Sequence, residues 1–209
     1  MAGYIGNYPT AVPLTGADLT DGIITSAKIA NGTIVGDDIN STFDLTGKTV
    51  TGAGGITMAD MWRVTGGFNT SGGDITTNWE RADAVQYGTI GTGLTESSGI
   101  FSFPQTGIYY IHFVTYFDGS TGNPNYAGVN LQLSYDNGSN WGTATQMYTS
   151  SLNSSAHGNI SLNYIADITN TSNDKLKFGT DVESTYTVAF GGNTTQQRTG
   201  FVIFRLGDT

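Results

Sequence analysis

The two histidines are the first candidates for acid–base chemistry in this chain, because imidazole titrates near neutral pH. His112 lies in an alternating apolar run, residues 108–114, which predicts a β-strand with His112 on the same face as Tyr110 and Val114. His157 is distant in the sequence, and the chain contains no cysteine. A zinc site needs several His or Cys ligands at short spacing, and nucleophilic catalysis needs a base beside the nucleophile. We therefore expect a packed or solvent-facing His112 and no enzyme activity.

Residues 134–141 hold a second candidate for chemistry, the pattern Ser-x-Asp-x-Gly-x-x-Trp. It resembles the Asp-box of sialidases and other carbohydrate-related proteins. Asp136 can accept hydrogen bonds from backbone amides, Asn137-Gly138 favours positive φ, and Trp141 can fold back onto a sheet, so the segment predicts a hairpin turn. Glycoside hydrolysis needs two carboxylates facing each other across a sugar, and a single box does not supply them. The structural role is therefore the expected one.

Acidic residues near predicted loops and strand ends are candidate ligands for Ca²⁺, which prefers oxygen donors. These residues are Asp118, Asp136, Asp167, Asp174, Asp181 and Glu183. Their spacing does not match an EF-hand loop. We expect no metal and no cofactor, with a calcium site kept as the minor alternative.

Aromatic residues beside the predicted loops at 118–128 and 136–147 are candidates for receptor contact. The candidates are Tyr116, Tyr126, Trp141 and Tyr148. Phe117 is also expected to be exposed beside these loops. Aromatic rings can stack on sugars while neighbouring Asn and Asp bind hydroxyl groups, although core packing explains several of these residues equally well.

Composition limits the classes of partner. The chain has 209 residues, a net charge of -9 and eight Lys and Arg in total, which form no cluster. Nucleic-acid binding needs clustered positive charge, so we expect no nucleic-acid ligand. No apolar run reaches membrane-spanning length, and the N-terminus lacks a basic start followed by an apolar run. The sequence predicts a protein made in the cytoplasm without membrane insertion.

From residue 56 onward the sequence favours short strands separated by turns. The chain contains 30 Gly, 11 Tyr and 10 Phe, with only 12% charged residues, which is typical of an all-β protein. Alternating apolar runs, each followed by Gly, Asn, Asp or Pro, predict a sandwich, a barrel or a jelly roll. The candidate strands are residues 100–103, 108–114, 129–133, 160–168, 175–178, 186–190 and 201–206.

The N-terminal quarter has a different period, with an aliphatic residue at every fifth position. These rungs are Leu14, Leu19, Ile24, Ile29, Ile34 and Ile39. Helical faces repeat about every 3.6 residues and strand faces about every 2, so the period fits neither a helix stripe nor a one-sided strand. The period indicates a chain that winds about an axis, so that the aliphatic residues need apolar partners to be buried.

Two windings are open for this segment. Ala17-Asp18-Leu19 and Ala27-Lys28-Ile29 resemble the repeat of pentapeptide-repeat proteins, which coil as single chains. The few units present make a short coil, whereas stacked repeats need roughly three neighbours to bury a continuous core. We favour the second winding, an intertwined fibre in which rungs from several chains meet on a common axis.

These patterns predict a three-part organisation: a docking arm at 1–13, a repeat stalk and Gly-rich linker at 14–55, and a head domain at 56–209. The arm combines aromatic residues and Pro with Gly and Asn, which suits a peptide that binds another protein, and a frayed terminus is an equally good interpretation. The candidate docking residues are Tyr4, Ile5, Tyr8 and Pro9.

Two segments of the head resemble a known family. The segment GIFSFPQTGIYYIHF, residues 99–113, is similar to the signature of the trimeric jelly roll shared by the globular heads of the complement first component and, more distantly, tumour necrosis factor. The segment TGFVIF, residues 199–204, resembles the closing strand of that family. Ile111 replaces the usual middle Phe and keeps the position apolar. The matching positions are Gly99, Phe101, Pro104, Gly107, Tyr109, Phe113, Gly200 and Phe201.

This resemblance implies an all-β fold in which a single antiparallel jelly-roll β-sandwich follows the extended N-terminal repeat segment. It also implies a homotrimer that packs through aromatic and aliphatic residues near a threefold axis. An unspecific β-sandwich is the alternative. Fold alone does not determine function.

The N-terminal quarter carries a second resemblance. The segment LTDGIITSAKIANGTIVGDDI, residues 19–39, is similar in composition and rhythm to low-complexity repeats of bacteriophage fibre and tail proteins, especially those of marine hosts. It implies a virion structural protein, either a tail fibre, a head fibre or a capsid-decoration protein, located on the particle surface. The arm would bind other virion proteins, and the head would contact a host-surface glycan or protein. The alternative class is a bacterial surface or secreted lectin-like protein.

Overall fold

The computed structural model describes residue 29 and residues 55–83, 87–150, 153–155 and 157–209. The chain divides into two units, Met1–Ala53 and Gly54–Thr209, and the second is the one described below. The docking arm and the stalk rungs other than Ile29 lie outside the described residues, so their winding stays a prediction. Ile29 itself is exposed.

The described part of the second unit contains thirteen β-strands and no helix. The strands are β1 Met58–Val64, β2 Phe68–Thr70, β3 Gly72–Asp74, β4 Trp79–Arg81, β5 Thr95–Ser97, β6 Ile100–Ser102, β7 Gly107–Ser120, β8 Tyr126–Ser134, β9 Gly142–Ser150, β10 His157–Ile168, β11 Lys175–Val182, β12 Val188–Phe190 and β13 Gly200–Gly207. Among the described residues, no helix is long and apolar enough to cross a membrane. The all-β prediction is confirmed.

The strands form two antiparallel sheets that face each other. The seven-stranded sheet has the order β2-β12-β7-β13-β1-β4, with β10 also paired to β7. The six-stranded sheet has the order β5-β6-β11-β8-β9, with β3 also paired to β11. Strands that are neighbours in space come from distant parts of the chain, for example β1 beside β13, so the two ends of this unit are joined in one sheet.

An aromatic core fills the space between the sheets. Alternate residues of β7 point inward, as the sequence predicts, and Tyr109, Ile111 and Phe113 are fully buried. Phe113 stacks on Phe178 of the opposite sheet with ring centroids 4.3 Å apart. Edge-to-face packing of Phe101 on Phe201, at 4.9 Å, links the sheets at a second point.

One carboxylate, that of Asp60, is buried in this core. Its oxygens accept hydrogen bonds from Nε1 of Trp62 at 2.9 Å, the backbone N–H of Leu94 at 2.8 Å and Nε of Arg81 at 3.0 Å. The guanidinium of Arg81 also lies 5.0 Å from the Trp62 ring centroid. A buried charge is tolerated only when it is paired and hydrogen-bonded, and this network connects β1 and β4 with the loop at Leu94.

Three details of the sequence prediction are wrong. The segment 118–128 is only partly a loop, because β7 continues to Ser120, and Phe117 is buried rather than exposed. The reason is that β10 pairs with β7 as far as Asp118, so the alternation continues and turns Phe117 inward. The segment 136–147 is also a loop only at its start, since β9 begins at Gly142.

Candidate functional site

The outer face of the seven-stranded sheet carries a partly exposed apolar surface. Cross-strand register places Ala59, Phe204, Tyr110 and Ile165 in one row across β1, β13, β7 and β10. The next row contains Met61, Val202, His112 and Asn163. We call the six apolar members the assembly face. They are Ala59, Met61, Tyr110, Ile165, Val202 and Phe204.

The exposure of these residues separates them from the core. Ile165 is 59% exposed, and the other five are half-buried. An antiparallel sandwich that is solvated on both outer faces shows apolar side chains inward and polar ones outward. Contiguous apolar surface on the outside usually marks a site of contact with another molecule. The assembly face is therefore suited to packing against a protein surface.

The outer face of the six-stranded sheet is polar instead. Lys177 pairs across the strands with Gln132, and both reach Asp74: Nζ of Lys177 donates to Oδ2 at 2.7 Å, and Nε2 of Gln132 donates to Oδ1 at 3.1 Å. Asn130 lies two residues before Gln132 in β8. Its Oδ1 accepts a hydrogen bond from Nε2 of Gln132 at 2.9 Å. These groups satisfy one another in contact with water, so this polar part of the face needs no partner.

The aromatic residues that carry the family resemblance serve to pack the core of the sandwich. Phe101, Tyr109, Phe113 and Phe201 are core residues, and the hydroxyl of Tyr109 donates to the carbonyl of Gln105 at 2.8 Å. Burial raises the pKa of Tyr109.

The signature glycines and proline lie at strand ends and turns. Gly99 has φ of 80° in the turn between β5 and β6, where a Cβ would collide with the backbone of Ile75. Gly107 and Gly200 begin β7 and β13, and Pro104 is exposed in the turn before β7. The signature therefore describes packing and turns rather than a binding site.

The four receptor-contact candidates do not form one site. Tyr126 and Tyr148 meet on the six-stranded sheet with ring centroids 5.5 Å apart. Trp141 precedes the first residue of β9, while Tyr148 is near the last, a separation of roughly 20 Å along an extended strand. Tyr116 belongs to β7 in the other sheet.

The pair Tyr126 and Tyr148 forms an exposed aromatic and acidic patch. The hydroxyl of Tyr148 donates to Oδ2 of Asp181 at 2.7 Å, and this hydrogen bond raises the pKa of Tyr148. Both oxygens of Glu183 accept hydrogen bonds from Asn125, at 2.6 Å from its backbone N–H and 2.8 Å from Nδ2. Such a patch can offer ring stacking and acceptors to a polar ligand.

The segment 134–141 forms the turn of the β8–β9 hairpin. Asn137 and Gly138 have φ of 59° and 84°, and Asp136 accepts hydrogen bonds from the Asn140 backbone N–H and the Ser134 hydroxyl, both at 2.8 Å. Hydrogen bonds from Asn140 and Ser134 lower the pKa of Asp136 to about 2. Nε1 of Trp141 donates to the Gly138 carbonyl at 3.0 Å. The carboxylate is thus used to hold the turn.

The remaining acidic candidates serve the backbone or lie apart. Asp174 is buried and accepts hydrogen bonds from the backbone N–H groups of Thr169 and Asn170, both at 2.8 Å. Within the described ranges, no three His, Asp or Glu side chains converge in a way that could hold a metal ion. The calcium alternative has no geometric support from these residues, and metal binding stays untested.

The two histidines lie on the outside of the seven-stranded sheet. His112 is half-buried within the second row of the outer face, as the strand alternation predicts. Nδ1 of His157 lies 2.7 Å from Oδ1 of Asp118 and 3.1 Å from the hydroxyl of Tyr116. Both histidines border the surface next to the assembly face.

No family model matches the chain, and no curated protein sequence matches it. Solved structures do match. Murine APRIL at pH 5.0 is 12% identical, with a TM-score of 0.52 over 71% of this chain and 98% of that chain. Murine APRIL at pH 8.5 is 13% identical, with a TM-score of 0.50 over the same shares. Eiger TNF from S. frugiperda is 16% identical, with a TM-score of 0.51 over 74% of this chain and 95% of that chain.

The similarity is one of fold. The head is an antiparallel sandwich of two sheets that matches the TNF-like jelly roll, so the jelly-roll prediction is confirmed. These neighbours support the tumour necrosis factor part of the resemblance, and the complement part gains no support. At such low identity they do not carry a function to this chain.

The assembly face is the feature that sequence reasoning missed. Tyr110 is identifiable from the alternation of β7, but Ala59, Phe204 and Ile165 join it only through strand pairing. A usable signal was present in β13, where Val202, Phe204 and Leu206 interrupt the expected polar alternation. A strand with apolar residues at consecutive positions is buried on both faces.

Proposed function

We propose that this chain forms a homotrimer whose jelly-roll heads act as a non-enzymatic binding module. The observation that carries the proposal is the assembly face, an apolar surface on the outside of a sandwich whose core is already complete. Packing three copies through this surface removes it from water and agrees with the trimer that the sequence signature implies. Burial of apolar area is the main favourable term in such association.

A trimer also suits a binding role. Three identical heads present three copies of every exposed patch, including the one around Tyr126 and Tyr148. Linked weak sites gain avidity without a strong single contact. A trimeric head can therefore bind a cell surface that carries many copies of one ligand, even with modest affinity at each site.

We place this head on a virion fibre of a bacteriophage, attached by the N-terminal arm. Support comes from the sequence alone: the five-residue ladder from Leu14 to Ile39, and the likeness of residues 19–39 to phage fibre repeats. Mass spectrometry of purified particles should find the chain at a copy number divisible by three. Its absence from particles would remove the virion placement and leave the trimeric head.

The second candidate is a bacterial surface or secreted lectin-like protein. The patch at Tyr126, Tyr148 and Asp181 favours it, because aromatic rings beside carboxylates suit sugar hydroxyls and ring faces. Glycan-array binding by a protein located on the bacterial surface and absent from virions would favour this candidate over the fibre.

The assembly proposal is tested by light scattering on the full chain and on two charge substitutions. Wild type should have three times the mass of the chain. Tyr110→Arg places a charge at the centre of the assembly face and should give monomers, because a buried unpaired charge costs several kcal/mol. Gln132→Arg is the matched control on the polar sheet and should leave the trimer intact. A wild-type monomer at micromolar concentration contradicts the proposal.

A further inference from the structure

A pocket formed by the described residues lies beside the assembly face, toward the Tyr116 end of β7. It has a volume of ≈ 570 Å³ and is bounded by β7, β10 and the segment that leads into β13. Its polar lining is His112, Tyr116, Asn159, Ser161, Gln197 and Arg198. Pockets of roughly 300–1,000 Å³ accommodate small molecules, and this one is large enough for a monosaccharide.

Arg198 is the Arg or Lys residue of this pocket, and no carboxylate of the described residues pairs with it. Six of the eight Lys and Arg lie in the described residues, since Lys28 and Lys48 fall outside them. Five of these six bind a carboxylate or backbone carbonyls: Arg63, Arg81, Lys175, Lys177 and Arg205. Arg198 has no such acceptor among the described residues, and its guanidinium lies 5.6 Å from the centroid of the Tyr116 ring.

Gln197, the neighbour of Arg198, has a hydrogen-bond acceptor without a donor. Its Oε1 is buried and accepts no hydrogen bond from the described residues. A buried acceptor without a donor is costly, so the structure favours turning the Gln197 amide into the pocket when a ligand brings a donor. The guanidinium of Arg198 can bind an anionic acceptor, and Oε1 of Gln197 can accept a hydrogen bond from a hydroxyl or amide donor. A small molecule that carries both groups satisfies the two residues together.

The segment around Arg198 is held in place by close packing. A Cβ at Gly191 would lie 2.6 Å from Cδ1 of Tyr116 and 3.6 Å from Cδ of Arg198. Only glycine lets the ring and the arginine stem pack on that backbone. Tyr116 is fixed from its other end, because its hydroxyl lies 3.1 Å from Nδ1 of His157. The Tyr116 ring is therefore held in place beside the guanidinium of Arg198, which is itself exposed to solvent.

We propose that this pocket binds a carboxylated sugar, with the carboxylate on Arg198 and a hydroxyl donating to Oε1 of Gln197. Asn159 and Ser161 supply further hydrogen-bonding groups for the other hydroxyls. The net charge of -9 disfavours polyanions, so one cation in this setting selects a ligand with a single negative charge. The inference deepens the binding role proposed above and rests on it, while assembly is measured separately.

The test is calorimetric titration of the full chain with glucuronate, N-acetylneuraminate, glucose and acetate. At least one of the two acidic sugars should bind, and it should bind at least about tenfold more tightly than glucose and acetate, because a hydrogen bond to a charged group is worth ~1.5–3 kcal/mol. Arg198→Gln should remove that preference, and Arg198→Lys should keep part of it. Lys177→Gln, which removes a cation from the opposite sheet, is the matched control and should bind as wild type does.

Three outcomes would overturn the inference. One is equal affinity for glucose and the acidic sugars, and another is no binding of either acidic sugar at about 10 mM. The third is an Arg198→Gln variant that loses the trimer in light scattering, because Arg198 would then pair with a carboxylate of a second copy. A trimer that binds no sugar leaves the assembly proposal standing, whereas a monomer that binds glucuronate removes assembly and keeps the pocket.

Discussion

The two sheets of the head have similar inner faces and opposite outer faces. Both contribute aromatic and aliphatic residues to one core, as Phe113 and Phe178 show. Outside, the seven-stranded sheet presents Tyr110, Phe204 and Ile165, while the six-stranded sheet presents Gln132 and Lys177. A stable sandwich requires only the inner pattern. The apolar outer face therefore exceeds what the fold requires and indicates contact with another molecule.

One carboxylate from each sheet shows a related contrast in solvent exposure. Asp60 of the seven-stranded sheet is buried and accepts hydrogen bonds from four residues, including Arg81. Asp74 of the six-stranded sheet pairs with Lys177 at 2.7 Å but remains 38% exposed. The charge of Asp60 is thus part of the buried structure, whereas that of Asp74 is partly solvated. Substitutions in matched pairs can test this contrast.

The largest expected effect comes from removing Asp60. Asp60→Ala leaves Arg81, the Trp62 indole and the Leu94 N–H without their acceptor, and loss of one partner from a buried pair costs about 3–5 kcal/mol. Asp74→Ala removes an exposed pair and should cost less than about 1 kcal/mol. Urea unfolding at one fixed protein concentration measures both, since assembly makes stability concentration-dependent. Equal losses would mean that the Asp60 network is solvated.

A smaller loss of stability is expected when a glycine-to-alanine substitution adds a methyl group to each sheet. Gly158 in β10 lies against the buried ring of Phe117, whose Cε2 a Cβ would approach to 2.9 Å, so Gly158→Ala should cost about 1–3 kcal/mol. Gly128 in β8 lies under the ring of Tyr148, which is exposed and can turn outward if its surface hydrogen bond to Asp181 lengthens. Gly128→Ala should cost less than about 1 kcal/mol, because the cost depends on how far the site relaxes.

Thermal melting of the two alanine variants distinguishes these cases. A larger loss for Gly128→Ala than for Gly158→Ala would show that the ring of Tyr148 is held as firmly as the core ring. Its hydrogen bond to Asp181 would then be the cause, and Tyr148→Phe in the Gly128→Ala background should relieve the loss.

Local patterns in the sequence were sufficient to predict the two faces of β7 and the β8–β9 turn, whereas β1 and β9 were not among the predicted strands. Alternation in β7 predicts which side chains are buried, and the turn residues at Asn137-Gly138 predict the β8–β9 hairpin, because both depend on residues close together in the chain. The prediction for Phe117 failed because the length of β7 is set by its pairing with β10, which begins at His157. No local pattern contains that information.

The outer surfaces could not be predicted for the same reason. The assembly face combines residues of β1, β7, β10 and β13, and its members become neighbours only when the register of all four strands is known. In β10, apolar residues occur on both faces, so Ile165 is not distinguishable from core residues such as Ile160 in the sequence. The pocket at Arg198 depends on a loop whose position follows from close packing at Gly191.

The smallest expected effect lies in the β8–β9 turn of the polar sheet and concerns the titration of Asp136. Its pKa is lowered from 3.8 to about 2, first by the side-chain hydrogen bond from Asn140. A carboxylate with a lowered folded pKa contributes stability above its unfolded pKa, and this contribution is lost as the pH falls through the folded value. The turn should therefore persist at pH 4 and loosen near pH 2.

NMR titration of the Asp136 carboxyl carbon measures this directly, with an expected midpoint of about 2 in the wild type. Asn140→Ala removes the largest cause and should move the midpoint toward 3.8, while the backbone N–H of residue 140 retains part of the shift. A wild-type midpoint at 3.8 would mean that Asp136 is solvated and does not hold the turn. Trp141, whose ring centroid lies 4.3 Å from Nζ of Lys177, would then lose this fixed position, and the polar face would end in a mobile hairpin rather than an ordered one.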